Sequence, residues 1–258
     1  MKQWPQFIKF AARRVGDKQT QELINKYIRQ SELPLAAELL KESLSPEDWR
    51  DIIHKEFGQV AEPSDLHRAI VRLNQRIIVT TNFDALLENA WNDPALVSTH
   101  YPTVITKLDS EIFKVLRDDQ NYLIKLHGSV NEPGSIVFAK SDYMKYAYGN
   151  WAYAKMIETL LLTHTFLFLG FSMNDPSISY LVEMHAQSYP GNRPHYIFLP
   201  GPISPQIEAI TKRLRRLFIM PYSPENGHKE LVTRITELAD NGINRRKELI
   251  AEMRKGLR

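Results

Sequence analysis

The chain contains no cysteine. That excludes a disulfide framework and every thiolate metal centre, and it leaves the redox compartment unconstrained by thiols. Long apolar runs are missing too: none approaches the ~20 residues needed to span a bilayer. Residues Met1 to Arg14 carry charge within a short amphipathic pattern and hold no cleavable apolar stretch, so the expected location is the cytoplasm, with no membrane partner. Nor does one sign of charge dominate. With 33 basic against 30 acidic residues the formal net charge is only +3, and no whole-molecule field indicates nucleic acid. Basic residues do gather late, at Lys212, Arg213, Arg215, Arg216, Arg245, Arg246, Lys247, Arg254, Lys255 and Arg258, where they read as solvated helical faces.

What is present is enough to bury a full core: 258 residues, 43% of them hydrophobic, place the chain among soluble globular proteins. Residues 4 to about 72 read as helices. Trp4, Phe7, Ile8, Phe10 and Ala11 share one face, and Leu35, Ala36, Leu39 and Leu40 repeat the pattern. Ser45 before Pro46 marks a helix start, because a hydroxyl caps free amides and proline suits the first turn.

The texture then changes. Five short apolar runs, Ile77 to Val79, Tyr122 to Leu126, Thr165 to Gly170, His195 to Leu199 and Leu217 to Met220, are mostly separated by helical patterns such as 151–163, 176–187 and 204–214. Continuous apolar strands alternating with helices predict a mostly parallel sheet covered on both faces. The expected architecture is therefore α/β: a Rossmann-like, doubly wound core over 73–240, an N-terminal helical region over 1–72 and a further helix over 241–258, all in one domain. In such sheets ligands gather at the carboxyl ends of strands, beside helix N-termini.

Three strand ends carry polar clusters. Thr80-Thr81-Asn82-Phe83-Asp84 closes the first; Asp84 or Asn82 can cap the next helix, and the amide of Asn82 can also place a ribose hydroxyl or an attacking water. Lys125-Leu126-His127-Gly128-Ser129 closes the second, with a histidine that is either a hydrogen-bonded structural residue or a base titrating near neutral pH. Gly170-Phe171-Ser172-Met173-Asn174-Asp175-Pro176 closes the third, where glycine permits close backbone approach and Pro176 opens a helix. His100, His164, His185, His195 and His228 lack metal-ligand spacing with a neighbouring carboxylate, so they are expected to be structural or exposed and no metal is expected. Tyr143, Tyr146, Tyr148 and Trp151 form an aromatic cluster read as core or rim packing.

In this order and at these intervals the three motifs resemble those of the sirtuin-like (silent information regulator type) domain family of bacteria. The resemblance covers roughly 70–240 and takes in Val137-Phe138-Ala139-Lys140-Ser141-Asp142-Tyr143, the strand from His195 and the strand at Ile219 to Tyr222. It implies binding of NAD in a Rossmann-like cleft and cleavage of the bond between nicotinamide and ribose. On that resemblance His127 is the general base and Asn82 holds ribose or water. Thr81, Asp84, Gly128, Gly170, Phe171, Ser172 and Asp175 are the further nucleotide-site residues, with Asp84 supporting the asparagine loop. Members with deacylase activity usually carry a four-cysteine zinc module, absent here, whereas cysteine-free, helix-rich members resemble NAD hydrolases of bacterial anti-phage defence, with a sensor domain, a separate sensor partner or homo-oligomerisation implied.

One departure stands out. The family normally opens with a strand running into a glycine-rich loop at the pyrophosphate, and nothing like it occurs between Met1 and Ser64; Met1 to Ile8 resembles the segment that usually follows that loop. The expectations are a fragment, a mis-assigned start or a degenerate member acting as a nucleotide-binding or regulatory module, with an open sheet position at strand 77–81 or its neighbour.

Overall fold

A computed structural model of the chain describes residues 4–59, 61–94, 96, 101–173 and 175–256; His100 and Asn174 lie outside them. The chain divides into two compact units: Met1–Ala61 with Ile77–Ala85 and Pro102–Ala154, and Glu62–Arg76 with Leu86–Tyr101 and Lys155–Arg258.

The first unit is helical at its start. Four helices, α1 (Trp4–Ala11), α2 (Lys18–Arg29), α3 (Leu33–Glu42) and α4 (Pro46–Phe57), follow one another with short connections. Their starts are chemically specified. Asp17 accepts the backbone N–H groups of Gln19 and Thr20, and Ser45 accepts that of Asp48 at 3.1 Å, with Pro46 in the first turn. Their apolar faces converge on one core: Phe7, Ile8, Ile24, Leu40, Ile52, Ile53 and Phe57 are buried together with Phe83 and Phe138. Phe57 meets Phe83 edge-on at 4.7 Å, and Phe138 lies 5.3 Å from Trp4 and 5.7 Å from Trp49. Phe83 thereby anchors the candidate loop in the helical core.

The sheet of this unit has the order β1-β3-β2, where β1 is Ile77–Thr80, β2 is Thr103–Ile105 and β3 is Tyr122–Lys125. Both pairings are parallel, with Thr80 opposite Lys125 and Ile105 opposite Ile124. Central β3 is buried throughout, while β1 at the edge is only half-buried despite its apolar sequence. β1 stands at one edge of this sheet.

The second unit holds α5 (Asp65–Arg72), α6 (Leu86–Trp91), α9 (Pro176–Ser188), α10 (Pro205–Arg215) and α11 (Glu225–Gly256). Between α6 and α9 along the chain come the single turn α7 (Lys140–Asp142), which runs into a π-helical turn at Tyr143–Tyr148, and α8 (Trp151–Thr163), which passes from the first unit into the second. The sheet has the order β4-β5-β6, all parallel, with β4 at Leu167–Phe168, β5 at His195–Pro200 and β6 at Leu217–Tyr222. Ala69, Phe198, Tyr222, Leu231 and Ile235 form its core, and α11 packs on α5 with an ion pair from Arg72 to Asp240 at 2.5 Å.

The α/β class, the parallel strands and the helical start all match the sequence reading. Three boundaries do not. β2 was not expected; it is three residues long, too short to show a period. β4 shrinks to two residues. The tail is not a separate helix but the continuation of α11, because the apolar spacing of Leu231, Ile235 and Ala239 carries the helix past Asn241 and Gly242, and one interior glycine costs only about 1 kcal/mol.

Candidate functional site at the strand ends

In the first unit, the turn after β1 is stitched to the segment after β3. The carbonyl of Thr80 accepts from the backbone N–H of Leu126 at 2.9 Å, and the carbonyl of Phe83 accepts from that of Val130 at 2.8 Å. The Lys125 ammonium reaches the carbonyl of Asp84 at 2.6 Å. Within the turn, Asn82 donates its backbone N–H to Thr80 Oγ1 at 3.1 Å. Phe83 and Asp84 are buried, Thr81 is half-buried, and Asn82 is exposed. The fixed neighbours hold Asn82 at the crest of the turn, where its amide can both donate and accept.

His127 sits two residues beyond the end of β3 and is 5% exposed. Its carbonyl accepts from Val137 N–H at 3.0 Å, and its ring meets that of Tyr143 edge-on at 5.4 Å. The aromatic cluster read as packing thus supplies one wall of the histidine's surroundings through Tyr143, which is itself buried. Gly128 has φ +79°, and a Cβ there would collide with the Ser135 carbonyl. Only glycine fits, for both reasons. Ser135 completes the turn by accepting the Ser129 N–H through Oγ at 3.0 Å and donating to the Glu132 carbonyl at 2.7 Å.

The third strand end belongs to the second unit. Gly170 takes φ +62° with open space where a side chain would project, and Met173 takes φ +58°. Phe171 stacks on Phe168 with centroids 5.9 Å apart, and Ser172 is exposed. Asp175 is the N-cap of α9: one carboxylate oxygen accepts from the N–H groups of Ser177 and Ile178, each at 3.0 Å, and from Ser177 Oγ at 2.6 Å.

The structure therefore brings Thr81, Asn82, Asp84, His127 and Gly128 onto adjoining strand ends of one unit, and sets Gly170, Phe171, Ser172 and Asp175 on one turn of the other. Among the described residues no group of three or more His, Asp or Glu is arranged to hold a metal ion. Sequence reasoning did not single out Lys125, whose side chain contacts the candidate turn. The available signal was a lysine closing an otherwise apolar strand one residue before Leu126-His127.

A family model described as a SIR2-like domain matches residues 76–222, which contain all nine candidate residues. The chain belongs to that family. Over 149 residues it is 33% identical to a Bacillus cereus (strain MSX-D12) protein named NAD(+) hydrolase ThsA, a match covering 57% of this chain and 30% of that one. A protein of the same name from Enterococcus faecium is 32% identical over 158 residues, with the same coverage. Defense-associated sirtuin 2 of Bacillus subtilis is 27% identical over 138 residues, 52% of this chain and 13% of its own length. The match thus spans less than a third of the length of each of these relatives. No helix among the described residues is long and apolar enough to cross a membrane.

Proposed function

We propose that this SIR2-like chain hydrolyses NAD at the bond between nicotinamide and ribose, with Asn82 and His127 as its catalytic residues. The observation that carries the reading is the stitching of the Asn82 turn to the segment bearing His127, which fixes an exposed amide and an imidazole on adjoining strand ends. The relatives named NAD(+) hydrolase supply the substrate class. In the reaction, the bond from ribose C1′ to the pyridinium nitrogen breaks and its electron pair neutralises that nitrogen. A water oxygen bonds to C1′ while His127 takes the water proton, giving nicotinamide and ADP-ribose. Asn82 orients the water or the ribose hydroxyls. Positioning is central because the oxocarbenium-like transition state needs a nucleophile already in place, and a placed base contributes about 100- to 10,000-fold.

The roles of Thr81, Asp84, Gly128, Gly170, Phe171, Ser172 and Asp175 toward the nucleotide are proposed on the family resemblance alone. The setting is bacterial anti-phage defence, as the name of the B. subtilis relative suggests, with a separate sensor protein or self-association controlling turnover. A second reading, nucleotide binding without turnover, is favoured by the burial of His127, which is only 5% exposed. Calorimetric titration with NAD, beside chromatography of the products, separates the two. Nicotinamide and ADP-ribose accumulating in equal amounts support hydrolysis; saturable binding with intact NAD supports the second reading.

A further inference from the structure

We propose that Lys125 is a positioning residue of this site, holding the turn that carries Asn82 in register with the segment that carries His127; the catalytic part of this inference rests on the proposed NAD hydrolysis. A lysine with no exposed surface at all is unusual, since its ammonium leaves water only where acceptors replace the lost hydration. One such acceptor is the backbone carbonyl of Asp84, 41 residues away in sequence and 2.6 Å away in space.

The placement follows from the ladder. Parallel register sets Lys125 opposite Thr80, the last residue of β1. Beyond that pair β1 turns through 81–84, and backbone amides from the β3 side reach only part of the turn: Leu126 takes Thr80, and Val130 takes Phe83. Between these two donors the chain turns back on itself, with Gly128 N–H bonding the Lys125 carbonyl at 3.1 Å. A flexible four-carbon side chain spans to Asp84 where the backbone has turned away. The 80–84 turn is consequently held at Thr80, Phe83 and Asp84 by Leu126, Val130 and Lys125 of the segment that includes His127. Phe83 fixes the same turn further through its ring contacts with Phe57 and Phe138. Asn82 is the residue left exposed between these anchors, so its position inherits theirs. A fully buried Nζ is in no place to meet a phosphate, which separates this role from that of a nucleotide ligand.

The test compares the intact chain with Lys125→Met, which keeps the length and removes the donor, and Lys125→Gln, which keeps a donor. Ile124→Val, on the same buried strand, serves as a control for lost stability. Two readouts are taken: amide hydrogen exchange of the peptide covering 80–86, and kcat and KM for nicotinamide release from NAD. The expected result for Lys125→Met is exchange in 80–86 faster by about tenfold with α1 to α4 unchanged, and kcat lower by about 100-fold with KM within about threefold. Lys125→Gln recovers part of both. Ile124→Val leaves kcat within about twofold. Unchanged exchange in 80–86, or a kcat that falls only with the folded fraction, overturns the proposal. So does failure of both variants to fold, which makes Lys125 a determinant of the fold rather than of the turn. If the intact chain releases no nicotinamide, the hydrolase reading fails, and the exchange data alone still decide whether Lys125 holds the turn.

Discussion

His185 on α9 and His195 at the start of β5 lie with their rings 5.6 Å apart, both buried inside the second unit. Burial, then the neighbouring His185 and Arg216, depress His195 from its ordinary 6.5 to about 4, and burial likewise lowers His185. A base whose folded pKa is depressed takes up its proton first in the unfolded chain. Stability is therefore complete above about pH 6.5 and is lost as pH falls from there towards about 4, by a few kcal/mol for His195. Urea unfolding followed between pH 4 and 7.5 checks this. His195→Gln is expected to lower stability at pH 7.5 yet flatten the slope; an unaltered slope contradicts the assignment.

Gly128→Ala is expected to be the more damaging of two glycine substitutions. At Gly128 the strain of φ +79° adds to collision with Ser135, whereas Gly170 at φ +62° faces open space. Thermal unfolding is expected to show a loss of about 1–2 kcal/mol for Gly170→Ala, the cost of left-handed backbone alone. Gly128→Ala is expected to lose at least twice that, since backbone atoms must move.

Phe138→Ala removes the ring shared by Trp4, Phe7, Trp49 and Phe83. A cost of about 3–5 kcal/mol is expected by denaturant unfolding. Because Phe83 loses a neighbour, hydrogen exchange at 81–85 is expected to quicken as well.

Asp175→Ala is expected to cost about 1 kcal/mol through loss of the α9 cap, while Asp175→Asn retains most of it, since asparagine caps as well. Denaturant unfolding of the two variants reads the difference. If Asp175 also meets the nucleotide, Asp175→Asn raises KM with stability preserved.

Features governed by local chemistry were legible in the sequence. Ser45 with Pro46 and Asp175 with Pro176 both start helices where capping chemistry places them. The apolar runs at 77–79, 195–199 and 217–220 form strands, although β5 and β6 alternate buried with exposed residues rather than being covered on both faces. Features set by tertiary context were not legible. Lys125 in Tyr122-Leu123-Ile124-Lys125 reads as a polar strand end, and its complete burial depends on β3 lying between two other strands and on a carbonyl 41 residues away. The candidate residues themselves were found because polar groups at the carboxyl ends of apolar strands are visible in one dimension. Their exposure was not: Asn82 projects, whereas His127 is buried against Tyr143.

The most direct test of the account is the rate of nicotinamide release from NAD by the intact chain, by His127→Ala and by Asn82→Ala, at matched folded fraction. The account predicts turnover in the intact chain and a fall of at least about 100-fold in each variant. Equal rates in all three would contradict it.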